Sequence, residues 1–461
     1  MLYYLFNYLN QSGFPGAGVV DYVTFRSITA GIIALITSVL FGRYFVRMMQ
    51  KKKIYENQRK GFEEGTRKIV EEDDFYKQGN NGFWNILTLE EKKLPKSQLE
   101  KSKDPFNMGK KNVPTFGGVI IIFSIIVSCL FTGKLHNIYM LLMIATTLIL
   151  GTIGFIDDYI KTFKGNKDGL KKWQKIAGQI FLGLIVGLTL RFHPAVVMNE
   201  KVTTRIENNQ EIVEKSPDIK STRTTIPFMK SHNLNYSDLF SRTGERWKYR
   251  LGWGLFVLVT VFFVAFTSNG SNLNDGLDGM AAGNVAIMGV VLGVLAYVSS
   301  NALWAGYLNL MFIPGSEEIV VFLCAFVGAL IGYLWYNSFP AQIFMGDTGS
   351  LTIGGIIAVA AVIIHKELLL PILCGVFIYE MLANFDVKLF LWSGKKRRIW
   401  KCAPTHDHFK YSYRDFKTRW GDTKVVFKGT GILQHEVKIT IRFWIVTILL
   451  AALTLLTLKI R

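Results

Sequence analysis

The sequence predicts an all-α polytopic membrane protein of about ten transmembrane helices, and three observations carry that prediction. Half of the 461 residues are hydrophobic and 19% are charged. A large soluble enzyme nearly matches that balance, but here the two kinds of residue are segregated. Stretches almost free of charge alternate with stretches dense in Lys and Arg, and the chain reads as a single integral-membrane domain over 1–461. The apolar stretches repeatedly reach the roughly 17–20 residues a helix needs to cross about 30 Å of hydrocarbon. Finally, the basic clusters fall after alternate spans, as the positive-inside rule requires of a threaded chain.

The predicted spans run near 21–47, 116–133, 137–156, 176–191, 250–267, 280–299, 319–337, 350–364, 368–392 and 440–459. Those at 176–191 and 350–364 are short and need flanking residues or local thinning to cross. The opening Met1-Leu-Tyr-Tyr-Leu-Phe lacks a basic n-region and a cleavage site, so it does not read as a signal peptide. Its aromatics suit the membrane interface. Lys51-Lys52-Lys53 follows the first span, Lys161, Lys164, Lys167, Lys171 and Lys172 the third, and Lys395, Lys396, Arg397 and Arg398 the ninth. These exits are therefore expected in the cytoplasm, and both termini in the periplasm. The 192–249 connection mixes Lys201, Arg205 and Lys215 with Glu200, Glu207 and Glu214. Long loops translocate largely regardless of charge, so it is placed outside.

The formal net charge of +19 reads as attraction to the inner leaflet and to anionic substrates rather than to nucleic acid. No basic stripe with interleaved aromatics marks a nucleic-acid surface. Cys129, Cys324, Cys374 and Cys402 have neither CxxC nor zinc-ligand spacing, which argues against a structural disulfide or zinc site.

Carboxylates near membrane helices are costly, and their default reading is functional. At the inner end of the third span, Asp157 and Asp158 are adjacent; such a pair repels unless a cation or proton lies close by. After the fifth span, Asn269, Asn272, Asp275 and Asp278 recur every third residue among Gly270, Gly276 and Gly279. That spacing keeps helical neighbours on one side, although an interhelical turn with Asx caps has the same composition. After the seventh span, Phe344-Met345-Gly346-Asp347-Thr348-Gly349-Ser350 places Asp347 and Ser350 where a helix amino terminus favours phosphate. After the ninth comes Pro404-Thr405-His406-Asp407-His408-Phe409. His-x-His is a poor zinc set without further ligands, and phosphate contact is at least as good a reading.

Parity joins these elements. They follow spans three, five, seven and nine, and Lys110 to Gly118 precedes span two, so all five emerge on the cytoplasmic face. One site built from several loops is expected there, rich in Asp, Asn, Lys and His. The donor set suits Mg²⁺, which takes one or two carboxylates together with substrate phosphate oxygens and water. Lysines would neutralise charge during phosphoryl transfer.

In family order from about residue 108 to 446, these motifs resemble the phospho-N-acetylmuramoyl-pentapeptide transferases of the polyprenyl-phosphate N-acetylhexosamine-1-phosphate transferase superfamily. The resemblance rests on Asp157-Asp158-Tyr159, the Asn269-to-Gly279 string, Phe344-Met345-Gly346-Asp347, the histidine loop, and Ile441-Arg442-Phe443-Trp444-Ile445. It implies transfer of a phospho-sugar-peptide from UDP-MurNAc-pentapeptide to undecaprenyl phosphate in the bacterial inner membrane, with UMP leaving and lipid I formed. It implies Asp347 as a Mg²⁺ ligand, and Asp157 and Asp158 as the acidic pair that activates the lipid phosphate or shares the metal. Asn269, Asn272, Asp275, Asp278 and Phe344 would line the nucleotide pocket. Lys110, Thr115, Lys161 and Lys175 would lie near the diphosphate, and His406 and His408 near the sugar phosphate. Homodimerisation is a family expectation.

The chain departs from the family pattern at Asp407, where a third histidine is usual, and at Asn112-Val113, where Gly-Thr is usual. The stretches 51–108, 196–248 and 410–436 are expected as peripheral insertions. Two alternatives stand beside this reading. A related transferase using another UDP-amino sugar would share the aspartate motifs. A transporter would place its charges near the midplane with paired halves, and neither feature is evident.

Overall fold

The computed structural model describes residues 1–52, 54, 113–164, 166, 168–200, 202–207, 210–228, 233–393, 397–400, 402–410, 424–426 and 435–458. Lys110, most of 51–108 and most of 410–436 lie outside the described residues. Each of the ten predicted windows is helical. In chain order the helices are α1 (Leu2–Gln11), α2 (Val23–Lys51), α3 (Gly118–Thr132), α4 (Ile138–Phe163) and α5 (Lys172–Phe192). Then come α6 (Glu245–Asn274), α7 (Met280–Ser300), the short α8 (Ala302–Tyr307), α9 (Glu317–Asn337) and α10 (Gly346–Ile363). The chain ends with α11 (Leu370–Leu373), α12 (Gly375–Ser393), α13 (Thr405–Lys410) and α14 (Glu436–Leu456).

Among the described residues, eight helices are long and apolar enough to cross a membrane on their own. They number nine if Glu367–Leu373 and Gly375–Leu389, bent by 72° at their junction, form one broken span. The predicted count of ten includes α3, which is apolar but only 15 residues long, about 22 Å at 1.5 Å per residue. Asn137 starts α4 by accepting the Tyr139 and Met140 N–H groups at 2.8 and 3.3 Å, which satisfies donors the helix leaves open.

Helix α10 is the axis of the bundle. Its apolar window is 94% buried, and it packs against α4 and α6, while α2 packs against α9 and α5 against α6. A helix hydrophobic all round belongs at such a centre. Its two ends lie about 27 Å apart, and each gathers polar groups. The predicted acidic motifs meet at its amino end.

At the other end, the 196–248 stretch divides into two parts. Strands β1 (Val202–Glu207) and β2 (Gln210–Lys215) form an antiparallel hairpin. Strands β3 (Arg223–Thr225) and β4 (Asn233–Asn235) pair and pack onto the bundle. Thr224, Thr225 and Tyr236 are buried there. The Thr225 N–H donates to the His365 carbonyl at 3.0 Å, buried Lys366 Nζ donates to Thr225 Oγ1 at 2.7 Å, and Tyr236 Oη donates to Glu367 Oε1 at 2.9 Å.

Candidate active site

Asp157 and Asp158 occupy the last turns of α4 and point into the bundle, both buried. Asp347 is the second residue of α10. One carboxylate oxygen from each of these three lies within 4.8 Å of the others.

The two adjacent aspartates do different work. Asp158 caps α10 from outside: its carboxylate accepts the Asp347 N–H at 3.0 Å, the Thr348 N–H at 2.9 Å and the Thr348 hydroxyl at 2.6 Å. These are N–H groups that the first turn of a helix cannot satisfy internally, and the helix dipole adds to the attraction. Close approach requires Gly346, whose φ is +69° and where a Cβ would meet Asp158 Oδ2 at 2.5 Å and Thr115 Oγ1 at 3.0 Å. A side chain there would be both strained and obstructed.

Asp157 instead faces cations. Its Oδ1 accepts the Leu170 N–H at 2.7 Å and pairs with Lys175 Nζ at 2.9 Å. Its Oδ2 lies 2.7 Å from Lys161 Nζ but makes no hydrogen bond of good angle, although it is buried. Lys161 reaches on to Asp347 Oδ2 at 3.2 Å, and Lys175 pairs with the same oxygen. Lys161 stands one turn beyond Asp157 on α4, and Lys175 enters from the first turn of α5. Three carboxylates against two ammoniums leave one formal negative charge in a largely desolvated cluster.

The Asn-rich string runs along the end of α6. Asn272 Nδ2 donates to Asp347 Oδ1 at 2.8 Å and to Ser350 Oγ at 3.0 Å. Ser350 is buried behind Asp347 and donates to the Gly346 carbonyl. Asn269 turns toward α5, donating to Gln179 Oε1 at 2.8 Å. Asp275 closes α6 as its C-cap. Buried Asp278 accepts the Ala341 N–H at 3.1 Å, which fixes the segment leading to Phe344. Phe344 is half-buried and zipped to the start of α3: its N–H donates to the Pro114 carbonyl and its carbonyl accepts the Gly117 N–H, each at 2.8 Å. Thr115 lies buried in that zipper.

The chain is 52% identical to the phospho-N-acetylmuramoyl-pentapeptide-transferase of Phocaeicola vulgatus, over the whole of both chains. It is 51% identical to the protein of that name from Bacteroides fragilis and 45% to that from Porphyromonas gingivalis, again over both full lengths. The chain belongs to the phospho-N-acetylmuramoyl-pentapeptide-transferase family. The model of glycosyl transferase family 4 also matches residues 140–365, the segment that holds Asp157, Asp158, the asparagine string and Asp347.

The histidine loop, α13, lies against the same string. His406 and His408 are buried, and a Cβ on Gly276 would run into the His406 ring. Gly276 lies four residues beyond Asn272, so the histidine loop packs on the same string that reaches Asp347 through Asn272. Two polar residues here belong to none of the sequence motifs. Gln179, buried in α5 one turn past Lys175, braces Asn269. Glu380, buried in α12, accepts from the histidine loop. Both are polar residues inside apolar spans, and that is a signal the sequence carries for each.

Proposed function

We propose that the chain transfers phospho-N-acetylmuramoyl-pentapeptide from its UDP-linked donor to undecaprenyl phosphate, giving lipid I and UMP in the bacterial inner membrane. The observation that carries this reading is the closed contact among Asp157, Asp158, Asp347, Lys161 and Lys175, in a chain about half identical to named members of the family. The acidic end is read as cytoplasmic, and ten crossings with both termini outside, from the basic residues flanking alternate spans.

The donor set fits a hard divalent cation. Three carboxylates converge, and Asp157 Oδ2 is a buried oxygen without a well-directed donor. Asp347 and Asp157 would hold Mg²⁺, with Asp158 behind them. When bound, the ion would neutralise diphosphate oxygens and charge on the leaving UMP. Lys161 and Lys175, now satisfied by the carboxylates, are placed to turn to the donor diphosphate and stabilise the charge that develops there.

The acceptor phosphate oxygen attacks the sugar-bearing phosphorus, the bond to the bridging oxygen breaks, and its electron pair leaves with UMP. Asp157 Oδ2 orients the acceptor phosphate and takes its proton where one is present. Asp158 is occupied by three hydrogen bonds and is 4% exposed, which favours this direct displacement over a covalent intermediate on Asp158.

Purified protein incubated with Mg²⁺, undecaprenyl phosphate and a panel of UDP-amino sugars should release UMP with the muramoyl-pentapeptide donor far above the others. Release with a different donor alone would reassign it to a sister transferase.

A further inference from the structure

We propose that Gly169 is a positioning residue for the transfer: its left-handed turn brings the Leu170 N–H onto Asp157 Oδ1, which leaves Oδ2 as the oxygen that meets the acceptor phosphate. The inference rests on the transferase reading above and deepens it, giving a task to a connection that none of the sequence motifs includes.

Residues 164–171 join α4 to α5, and so tie Asp157 and Lys161 to Lys175. The turn is built locally. Asn166 Oδ1 accepts the Asp168 N–H at 3.2 Å, and the Asn166 carbonyl accepts the Gly169 N–H at 3.1 Å, a use of asparagine common in turns. Gly169 is buried and has a φ of +64°. The next N–H, from Leu170, donates to Asp157 Oδ1 at 2.7 Å. Lys171 then opens α5 with its own N–H on Gln174 Oε1 at 3.0 Å.

Two separate features demand glycine at 169. Left-handed backbone is strained for a residue with a side chain. A Cβ there would also run into Asp157 Oδ1, lie 2.9 Å from its Cγ and 3.0 Å from Lys161 Cε. Asp157 cannot swing aside without giving up the Leu170 N–H and Lys175, which stands 2.9 Å from the same oxygen. A carboxylate oxygen has two lone-pair sites, and these two donors occupy both on Oδ1. Oδ2 lies 2.7 Å from Lys161 Nζ without a well-directed hydrogen bond, so its capacity is kept. When the lysines turn to the donor diphosphate, the Leu170 N–H, fixed in the backbone, still holds Oδ1.

The test uses the full-length protein, reading UMP release with each substrate varied in turn, beside a thermal melt. Gly169→Ala should lower kcat, and kcat/KM for undecaprenyl phosphate, by about 10–100-fold, the cost of misplacing a reacting group by about 1 Å. The KM for the UDP-linked donor should stay within about twofold of wild type. Gly16→Ala adds the same kind of strain, at a φ of +86° with nothing within 4 Å, and should keep wild-type turnover. Gly169→Asn separates obstruction from strain. Asparagine tolerates the left-handed region but carries the same Cβ, so it should lose as much as Gly169→Ala. If the Gly169 variants do not yield monodisperse protein, Leu170 is replaced by its α-hydroxy acid, which exchanges the N–H for an ester oxygen and keeps the side chain. That change should lower kcat about tenfold, as loss of a hydrogen bond to a charged group does. Wild-type turnover per folded molecule in Gly169→Ala or in the ester, recovery in Gly169→Asn, or a loss confined to the donor KM would each overturn the proposal. Wild-type protein that releases no UMP from this donor would sink the transferase reading instead.

Discussion

The two ends of α10 each bury charge, and they do so to opposite purposes. At the carboxyl end one buried cation stands beside one buried anion and each is tied to the clasp: Lys366 by Thr225, one oxygen of Glu367 by Tyr236, and the His365 backbone by the β3 edge. At the amino end three carboxylates crowd together, held by two lysines that each serve two of them. A fold that needed only stability would not place like charges within 4.8 Å, since each costs desolvation and repels its neighbour. Buried charge therefore marks a reactive site only where it is in excess of its fixed partners. Where one buried cation is balanced by one buried anion, as at Lys366 and Glu367, it marks an attachment.

The sharpest way to break this comparison is substitution at each end. Asp347→Asn and Asp157→Asn should each lower turnover at least about a thousandfold, as loss of a group acting mainly in the transition state does, while thermal stability holds or rises because repulsion is relieved. Tyr236→Phe at the other end should leave turnover per folded molecule near wild type and cost about 1–3 kcal/mol, the penalty for stranding a buried acceptor. A thermal melt paired with a UMP assay reads both. Asp158→Ala should fall between, losing about 0.5–2 kcal/mol as a removed helix cap together with most activity, since Asp347 is then no longer fixed.

A deletion series sharpens the division of the 196–248 stretch. Removing the β1–β2 hairpin with a short linker across 202–215 should spare activity. Removing 222–240 should cost the folded protein, because it strips the partners of Lys366 and Glu367. Retained activity in the second deletion would show that the clasp is dispensable.

Smaller effects come from pH. Burial, with the Lys366 charge adding to it, holds His365 down at about 3. Between its ordinary value near 6.5 and about 3, the unfolded chain binds the proton and the fold does not, so stability should fall as pH drops through that window. Burial also pushes Lys366 down to about 8. From about 8 to its ordinary value near 10.5 the unfolded chain again holds more protons, so this group's contribution should rise with pH; below 8 its full cost is present. His365→Gln should flatten the acid limb of melting temperature against pH, and Lys366→Met the alkaline limb.

Much of the amino-end site is legible in the sequence. Asp157, Asp347, Asn272 and the histidine loop stand out because a charge or amide at the edge of an apolar span is costly unless it serves a site, and span parity predicts that they share one face. What cannot be read there is the division of labour between Asp157 and Asp158. It depends on which carboxylate meets the first turn of α10, a tertiary fact. Ser350 is expected at a phosphate-favouring helix start and Asp278 at the nucleotide; they lie buried against Asn272 and the Ala341 backbone. The clasp at the other end is invisible for a related reason. Its strands are three residues long, and their partners on His365, Lys366 and Tyr236 are distant in sequence or set by tertiary packing.

The most direct test of the excess-charge claim is Mn²⁺ binding, as a paramagnetic stand-in for Mg²⁺, measured by electron paramagnetic resonance on detergent-purified protein without substrates. Wild type and Tyr236→Phe should bind the ion with equal affinity, and Asp347→Asn should bind at least about tenfold more weakly, since each such carboxylate is a principal ligand of a hard divalent cation. Undiminished binding in Asp347→Asn would contradict the account.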